Sequence, residues 1–208
     1  MQNLIVLCHR CLTWTETHEG LCPECGADVF LDAPDFDGDL LEEMLGDPLV
    51  VLGPLRIDRL ELPSYGFFVG TTTGILFLPR LHRRVNGAWE AITSQRLPNW
   101  WPFQGDLASP RFMSWLRKPF GMNVATDDQT VDHLDRTSLS ERLMESPGGF
   151  FTPRRNVKMV TGRRRQLRLE RALQRSITVI DETEDGSLRN ALDSFLSRPN
   201  EEQLRRAQ

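Results

Sequence analysis

The sequence predicts an α+β protein in which a small cysteine-built unit precedes a mainly antiparallel β domain closed by a C-terminal helix. Three observations predict it. All four cysteines lie within residues 8 to 25, in two Cys-x-x-Cys pairs. Short apolar and alternating segments follow from Leu49 onward, separated by turn residues. Near the end, Leu188, Ala191, Leu192, Phe195 and Leu196 recur at i, i+3, i+4, i+7 and i+8, the spacing of an amphipathic helix.

The chain-wide composition excludes several classes. With 208 residues, 39% of them hydrophobic and 26% charged, the chain has ordinary globular usage and room for a core. A net charge of −4 supplies no global attraction to nucleic acid or anionic membrane. No apolar run approaches the roughly 20 residues of a membrane-spanning helix. Met1 to Leu7 lacks the basic and long apolar regions of a signal peptide. The expected location is cytoplasmic, at a membrane periphery if an anionic lipid is bound. In a reducing compartment, clustered cysteines read as metal ligands rather than disulfides.

The cysteines read Cys8-His9-Arg10-Cys11, then ten residues, then Cys22-Pro23-Glu24-Cys25-Gly26. Two residues between thiolates form a knuckle that aims both sulfurs at one ion. Pro23 presets its φ, and Gly26 accepts a positive φ after the second ligand. Thr13, Trp14, Thr15 and Thr17 suit a hairpin arm, with Gly20 at its return. The pattern resembles the zinc-ribbon family over about the first 30 residues. That resemblance implies a structural Zn2+ held by Cys8, Cys11, Cys22 and Cys25. A unit this small buries too little surface to fold alone, and structural zinc contributes about 10–16 kcal/mol of apparent binding energy. Four thiolates leave no vacant position for catalysis, and His9 and His18 are not needed as ligands. Between residues 1 and 31 the one fixed cation is Arg10, against Glu16, Glu19, Glu24 and Asp28, a poor start for phosphate binding. Trp14 is a candidate interaction anchor, or packs beside its own knuckle.

Residues 32–48 form an acidic linker leading into a short helix near Asp39 to Leu45, with Leu40, Leu41, Met44 and Leu45 as its apolar face. Leu49 to Leu52 starts the strands. The alternation at Leu55, Ile57, Leu60 and Leu62 slips at Asp58-Arg59, which predicts a bulge. Gly66 to Gly70 and Ile75 to Leu78 flank a turn at Thr71 to Gly74, with Pro79 as the stop. Asn86-Gly87 predicts a hairpin returning through Trp89 to Ile92. Such strands point to an antiparallel sandwich or barrel. Residues 94–150 interrupt them with a Trp-rich, helical insertion. It has helix starts at Ser109-Pro110 and at a capping box from Ser138 to Glu141, the latter stopped by Pro147-Gly148-Gly149. Val157 to Thr161, Leu167 to Leu169 and Ser176 to Ile180 are further strands, with Gly162 turning between the first two. Asp185 or Ser187 is the expected cap of the final helix, and residues 199–208 form a charged tail.

The run Gly70-Thr71-Thr72-Thr73-Gly74-Ile75-Leu76-Phe77-Leu78-Pro79 and the helix from Leu188 to Leu196 resemble the pleckstrin-homology-like superfold, including its GRAM-like members. The resemblance covers residues 49–198, from which the 94–150 insertion departs. It implies a protein- or lipid-headgroup-binding module and does not imply catalysis. The domain plan is then 1–31 ribbon, 32–48 linker and helix, 49–198 PH-like domain and 199–208 tail.

One local asymmetry stands against the negative net charge. Nine cations lie between residues 154 and 175, namely Arg154, Arg155, Lys158, Arg163, Arg164, Arg165, Arg168, Arg171 and Arg175, with Glu170 the one acid. Arg154, Arg155 and the predicted hairpin tip Arg163 to Arg165 are the candidate anion- or partner-binding residues. Arg80, Arg83 and Arg84 follow another predicted strand. The competing reading is a solvated sheet face, with some arginines paired to the acidic linker. Enzyme motifs are missing: no GxSxG, phosphate loop, GxGxxG or HExxH occurs. His82 stands alone, and His133 between Asp132 and Asp135 reads as a surface histidine. The sequence therefore points to a non-enzymatic zinc-ribbon adaptor with a protein partner. An anionic lipid ranks second, and a nucleic-acid-associated role on the basic strands is the alternative.

Overall fold

The computed structural model describes residues 5–16, 20–29, 38–58, 64–83, 89–91, 134–161, 165–172, 174–183 and 186–197. The expected turns at Asn86-Gly87 and Gly162, the helix start at Ser109-Pro110, His18, Arg84, His133, Arg163, Arg164 and the tail lie outside these residues.

The strands are β1 (Ile5–Cys8), β2 (Thr13–Glu16), β3 (Pro48–Asp58), β4 (Ser64–Thr71), β5 (Gly74–Arg83), β6 (Trp89–Ala91), β7 (Phe150–Pro153), β8 (Val157–Thr161), β9 (Gln166–Arg171) and β10 (Gln174–Asp181). The helices are α1 (Gly38–Leu45), α2 (Arg136–Met144) and α3 (Leu188–Ser197). The strands form one open antiparallel sheet in the order β1-β2-β7-β5-β4-β3-β10-β9-β8. β5 pairs with β4 along one edge and is long enough to take two partners along the other. Gly74 to Phe77 pairs with β7, and Leu81 to Arg83 pairs with β6. The expected sandwich or barrel is thus a single sheet, and strands β1 and β2, which flank the first cysteine pair, are part of it.

Period-two alternation sorts the apolar residues to the two faces. Val51, Phe67, Val69, Leu76, Leu78 and Phe151 enter one core, completed by Leu41 and Leu45 of α1 and Leu139 and Leu143 of α2. Leu52, Phe68, Ile75, Phe77 and Phe150 enter the other, with Leu167, Leu169, Ile177 and Val179, completed by Leu188, Leu192 and Phe195 of α3. All eight residues of β4 are buried, as expected of a strand covered on both faces. Phe68, Phe77 and Phe150 meet with ring centroids 5.4–6.3 Å apart.

Several expectations shift in detail. In α1 only Leu41 and Leu45 face the core, while Leu40 (54%) and Met44 (40%) are exposed. The register of β3 is irregular between Pro48 and Val50 and again between Leu52 and Leu55, where Gly53 has φ 129° and Pro54 lacks an N–H for the ladder; Arg59, Leu60 and Leu62 of the expected slip lie outside the described residues. Pro79 does not end β5. It lies opposite Gly66 at a register shift, which accommodates the missing donor. The capping box lies three residues earlier than expected. Asp135 caps α2, its carboxylate accepting from the Ser138 N–H while the Ser138 hydroxyl faces the Asp135 N–H. At the start of α3 the Leu188 N–H donates to the buried Asp181 carboxylate, which also accepts from the Thr183 N–H and hydroxyl; the expected cap candidate Asp185 lies outside the described residues. No helix among the described residues is long and apolar enough to cross a membrane.

Candidate metal centre

Two knuckles of the same form bring the cysteines together. In the first, the Leu12 N–H donates to the Cys8 carbonyl at 2.8 Å. In the second, the Gly26 N–H donates to the Cys22 carbonyl at 2.7 Å. The residue after each pair takes a left-handed conformation, with φ 48° at Leu12 and 73° at Gly26. Glycine meets this at no steric cost. Leucine at the first knuckle strains the backbone, and Leu12 is held there by burial in the α1/α2 core. The chain between the knuckles runs out through β2 and turns back at Gly20, where Leu21 bridges Asp28.

The four Sγ atoms all lie within 4.8 Å of one another. Cys8 faces Cys25 and Cys11 faces Cys22, each at 3.7 Å. Metal–sulfur bonds of about 2.3 Å around a tetrahedral ion place the sulfurs roughly 3.8 Å apart, so the spacing fits. It is far too long for disulfides, and all four cysteines are free. Cys8, Cys11 and Cys22 are buried and Cys25 is half-buried. The Cys8 thiol is held far below its ordinary value, first by its hydrogen bond with Cys11 and then by that with Cys22. Cys11 is pushed far above it, by the same contacts with Cys22 and Cys8 and by burial. Four cysteines so arranged can hold one metal ion, consistent with a zinc ribbon.

The surroundings come from distant parts of the chain. Trp14 N–H and Phe151 N–H bond to Gly149 and Leu12 carbonyls at 2.9 Å, joining β2 to β7. The Trp14 indole N–H donates to the Leu143 carbonyl in the last turn of α2 at 2.6 Å, so this side chain ties the cysteine unit to a helix end. The Gln174 amide donates to the Cys11 carbonyl at 2.8 Å. Arg171 pairs with Glu24, inside the second knuckle, at 2.9 Å. The sequence reading missed Arg171 and Gln174 as contributors. The signal was present for Arg171, since β9 alternates exposed and buried residues and its inward set Leu167, Leu169 continues to position 171.

A cleft of about 210 Å³ opens beside the sulfur cluster. Arg10, Cys11, Leu12 and Cys25 form the cysteine-cluster side, and Met44, Phe151, Pro153, Asn156, Ala172 and Gln174 the other.

The structure disperses the described members of the basic segment. Arg154 turns inward, donating to the Phe195 carbonyl with its guanidinium 4.6 Å from the Phe195 ring. Arg155 is exposed in the 3-10 turn before β8, while Arg165 is exposed at the far end of the β8–β9 hairpin. The five residues of β8 separate them by more than about 15 Å at ~3.3 Å per residue. Lys158 lies opposite Glu170 across the ladder, and Arg171 is buried. Compared with protein-family models, with curated proteins and with solved structures, the chain matches none.

Proposed function

We propose that this chain is a non-enzymatic zinc-ribbon adaptor whose thiolates hold a structural Zn2+ and whose ribbon–sheet cleft receives a segment of a partner protein. The lining of the cleft carries this reading. Its described residues include no histidine, carboxylate, lysine or serine for proton transfer or attack, and its two cysteines belong to the metal cluster. Apolar Leu12, Met44, Phe151 and Pro153 sit beside the guanidinium of Arg10 with no acid among them. That combination suits a peptide bearing an apolar side chain next to a carboxylate. A closed set of four sulfur donors favours zinc among the divalent ions.

A PH-like fold is part of the proposal. It is supported by the antiparallel β3–β10 pair, which joins the β3-β4-β5 meander to the β8-β9-β10 meander. One core also takes residues from both meanders and from α3. A protein partner ranks above anionic lipid and nucleic acid because the basic segment spends Arg154 and Arg171 on internal contacts and sets Arg155 apart from Arg165.

Two measurements test the proposal. Elemental analysis of the purified chain is expected to find one zinc, largely lost in Cys22→Ser; unchanged zinc in that variant refutes the site. Peptide display on the zinc-loaded protein is expected to enrich acidic–apolar sequences whose binding is lost in Arg10→Glu and Met44→Asp. Enrichment indifferent to both changes, or binding only to anionic vesicles or RNA, refutes the cleft.

A further inference from the structure

Both metal knuckles are gripped by one turn at the opposite end of the chain. Arg171 closes β9 and Gln174 opens β10. The Arg171 side chain is 1% exposed and its partner Glu24 11%, so the pair is shielded from water. The guanidinium makes two further bonds to the Arg175 carbonyl, at 2.9 Å from Nε and 2.7 Å from Nη2. It also lies 4.8 Å from the Phe150 ring centroid. Such a planar cation with several fixed acceptors has little freedom to follow a moving partner. Gln174 is likewise held at both ends, its amide on the Cys11 carbonyl at 2.8 Å and its oxygen accepting from the Thr152 hydroxyl at 3.2 Å. Gln174 thus holds the first knuckle and Arg171 the second, from positions three residues apart.

We propose that Arg171 and Gln174 are positioning residues of the metal centre, setting the separation of the two knuckles at the distance a tetrahedral ion requires. The inference rests on the reading that the four thiolates bind zinc. The ligand-bearing knuckles are short turns, and the facing ends of β9 and β10 hold both of them, through Arg171 on Glu24 and Gln174 on the Cys11 carbonyl. Outer contacts that orient metal ligands are typically worth 10–100-fold in affinity. Linkage makes the effect reciprocal: whatever the turn contributes to metal affinity, the metal returns as protection of the turn.

The test uses the full-length chain and zinc itself. Zinc affinity is measured by competition with a chromophoric chelator for wild type, Arg171→Met and Gln174→Met, and cobalt replaces zinc to report the ligand geometry through its ligand-field bands. Each variant is expected to bind zinc about 10–100-fold more weakly, with altered cobalt bands. Arg171→Met removes a buried cation; Glu24→Gln, which weakens the same contact from the less buried side, carries the test if that variant fails to fold. Stripping zinc from wild type is expected to accelerate backbone amide exchange at residues 171–175. A general loss of stability alone would leave the cobalt spectrum of the folded, loaded variant unchanged. Wild-type binding of zinc with unchanged affinity and spectra in the folded variants overturns this inference alone. A wild-type chain that takes no zinc overturns both it and the reading beneath it.

Discussion

Tyr65 is the one tyrosine of the chain, which makes its ionisation directly observable. It is 2% exposed in β4, with its hydroxyl 3.5 Å from the Glu182 carboxylate. Burial, and then the negative charge of Glu182, push its pKa up from 10 to about 12. In the unfolded chain the phenol ionises near its ordinary value of about 10. Between those limits the unfolded state has released a proton that the folded state keeps. The stabilisation is therefore complete below about pH 10 and is lost as pH rises through about 12. A shift from 10 to about 12 corresponds to about 3 kcal/mol across that window.

Tyr65→Phe removes the titration and, at neutral pH, the hydroxyl's long hydrogen bond to Glu182, worth about 1 kcal/mol or less. Urea unfolding of both proteins at intervals from neutral pH to about 12 isolates the phenol, because other titrating groups are common to both. Wild type is expected to be equal or slightly more stable at neutral pH and to lose ground to the variant by about 3 kcal/mol at the alkaline end. The phenolate absorbance of folded wild type should appear with a midpoint near 12. A midpoint near 10 in the folded protein, or a stability difference constant with pH, refutes the reasoning.

Two further substitutions test the packing. Asp181→Ala strips the Leu188 and Thr183 N–H groups of their acceptor at the start of α3, and is expected to cost about 2 kcal/mol in denaturant unfolding; no loss would mean that α3 does not depend on this cap. Gly70→Ala would put a Cβ 2.6 Å from the Phe195 ring and 2.8 Å from Val50 Cγ1, and is expected to destabilise by about 1–3 kcal/mol. An unchanged melting temperature would refute that close approach of α3 to β4.

What could be read from the chain alone was the information carried at short separation. The two Cys-x-x-Cys pairs, Gly26 after the second, α1 between Gly38 and Leu45, and the 3.6-residue spacing of α3 each follow from neighbours within a turn or two, where geometry ties residue spacing to backbone shape. The strand segments were legible for the same reason. Their order was not, because apolar alternation says which side of a strand is buried and nothing about which strand lies beside it. Tertiary structure therefore decided that β2 lies against β7 and β3 against β10. It also decided the polar partners. Asp181 meets the Leu188 N–H at the start of α3 from seven residues upstream, since its carboxylate is buried where the helix N-terminus arrives. Arg154 and Arg171, alike in sequence to their solvent-facing neighbours, were drawn inside by a carbonyl and a carboxylate that only the folded chain delivers. A charge inside a protein must be paired, and its partner is chosen by what the packed layers bring within reach, here across separations of 41 and 147 residues.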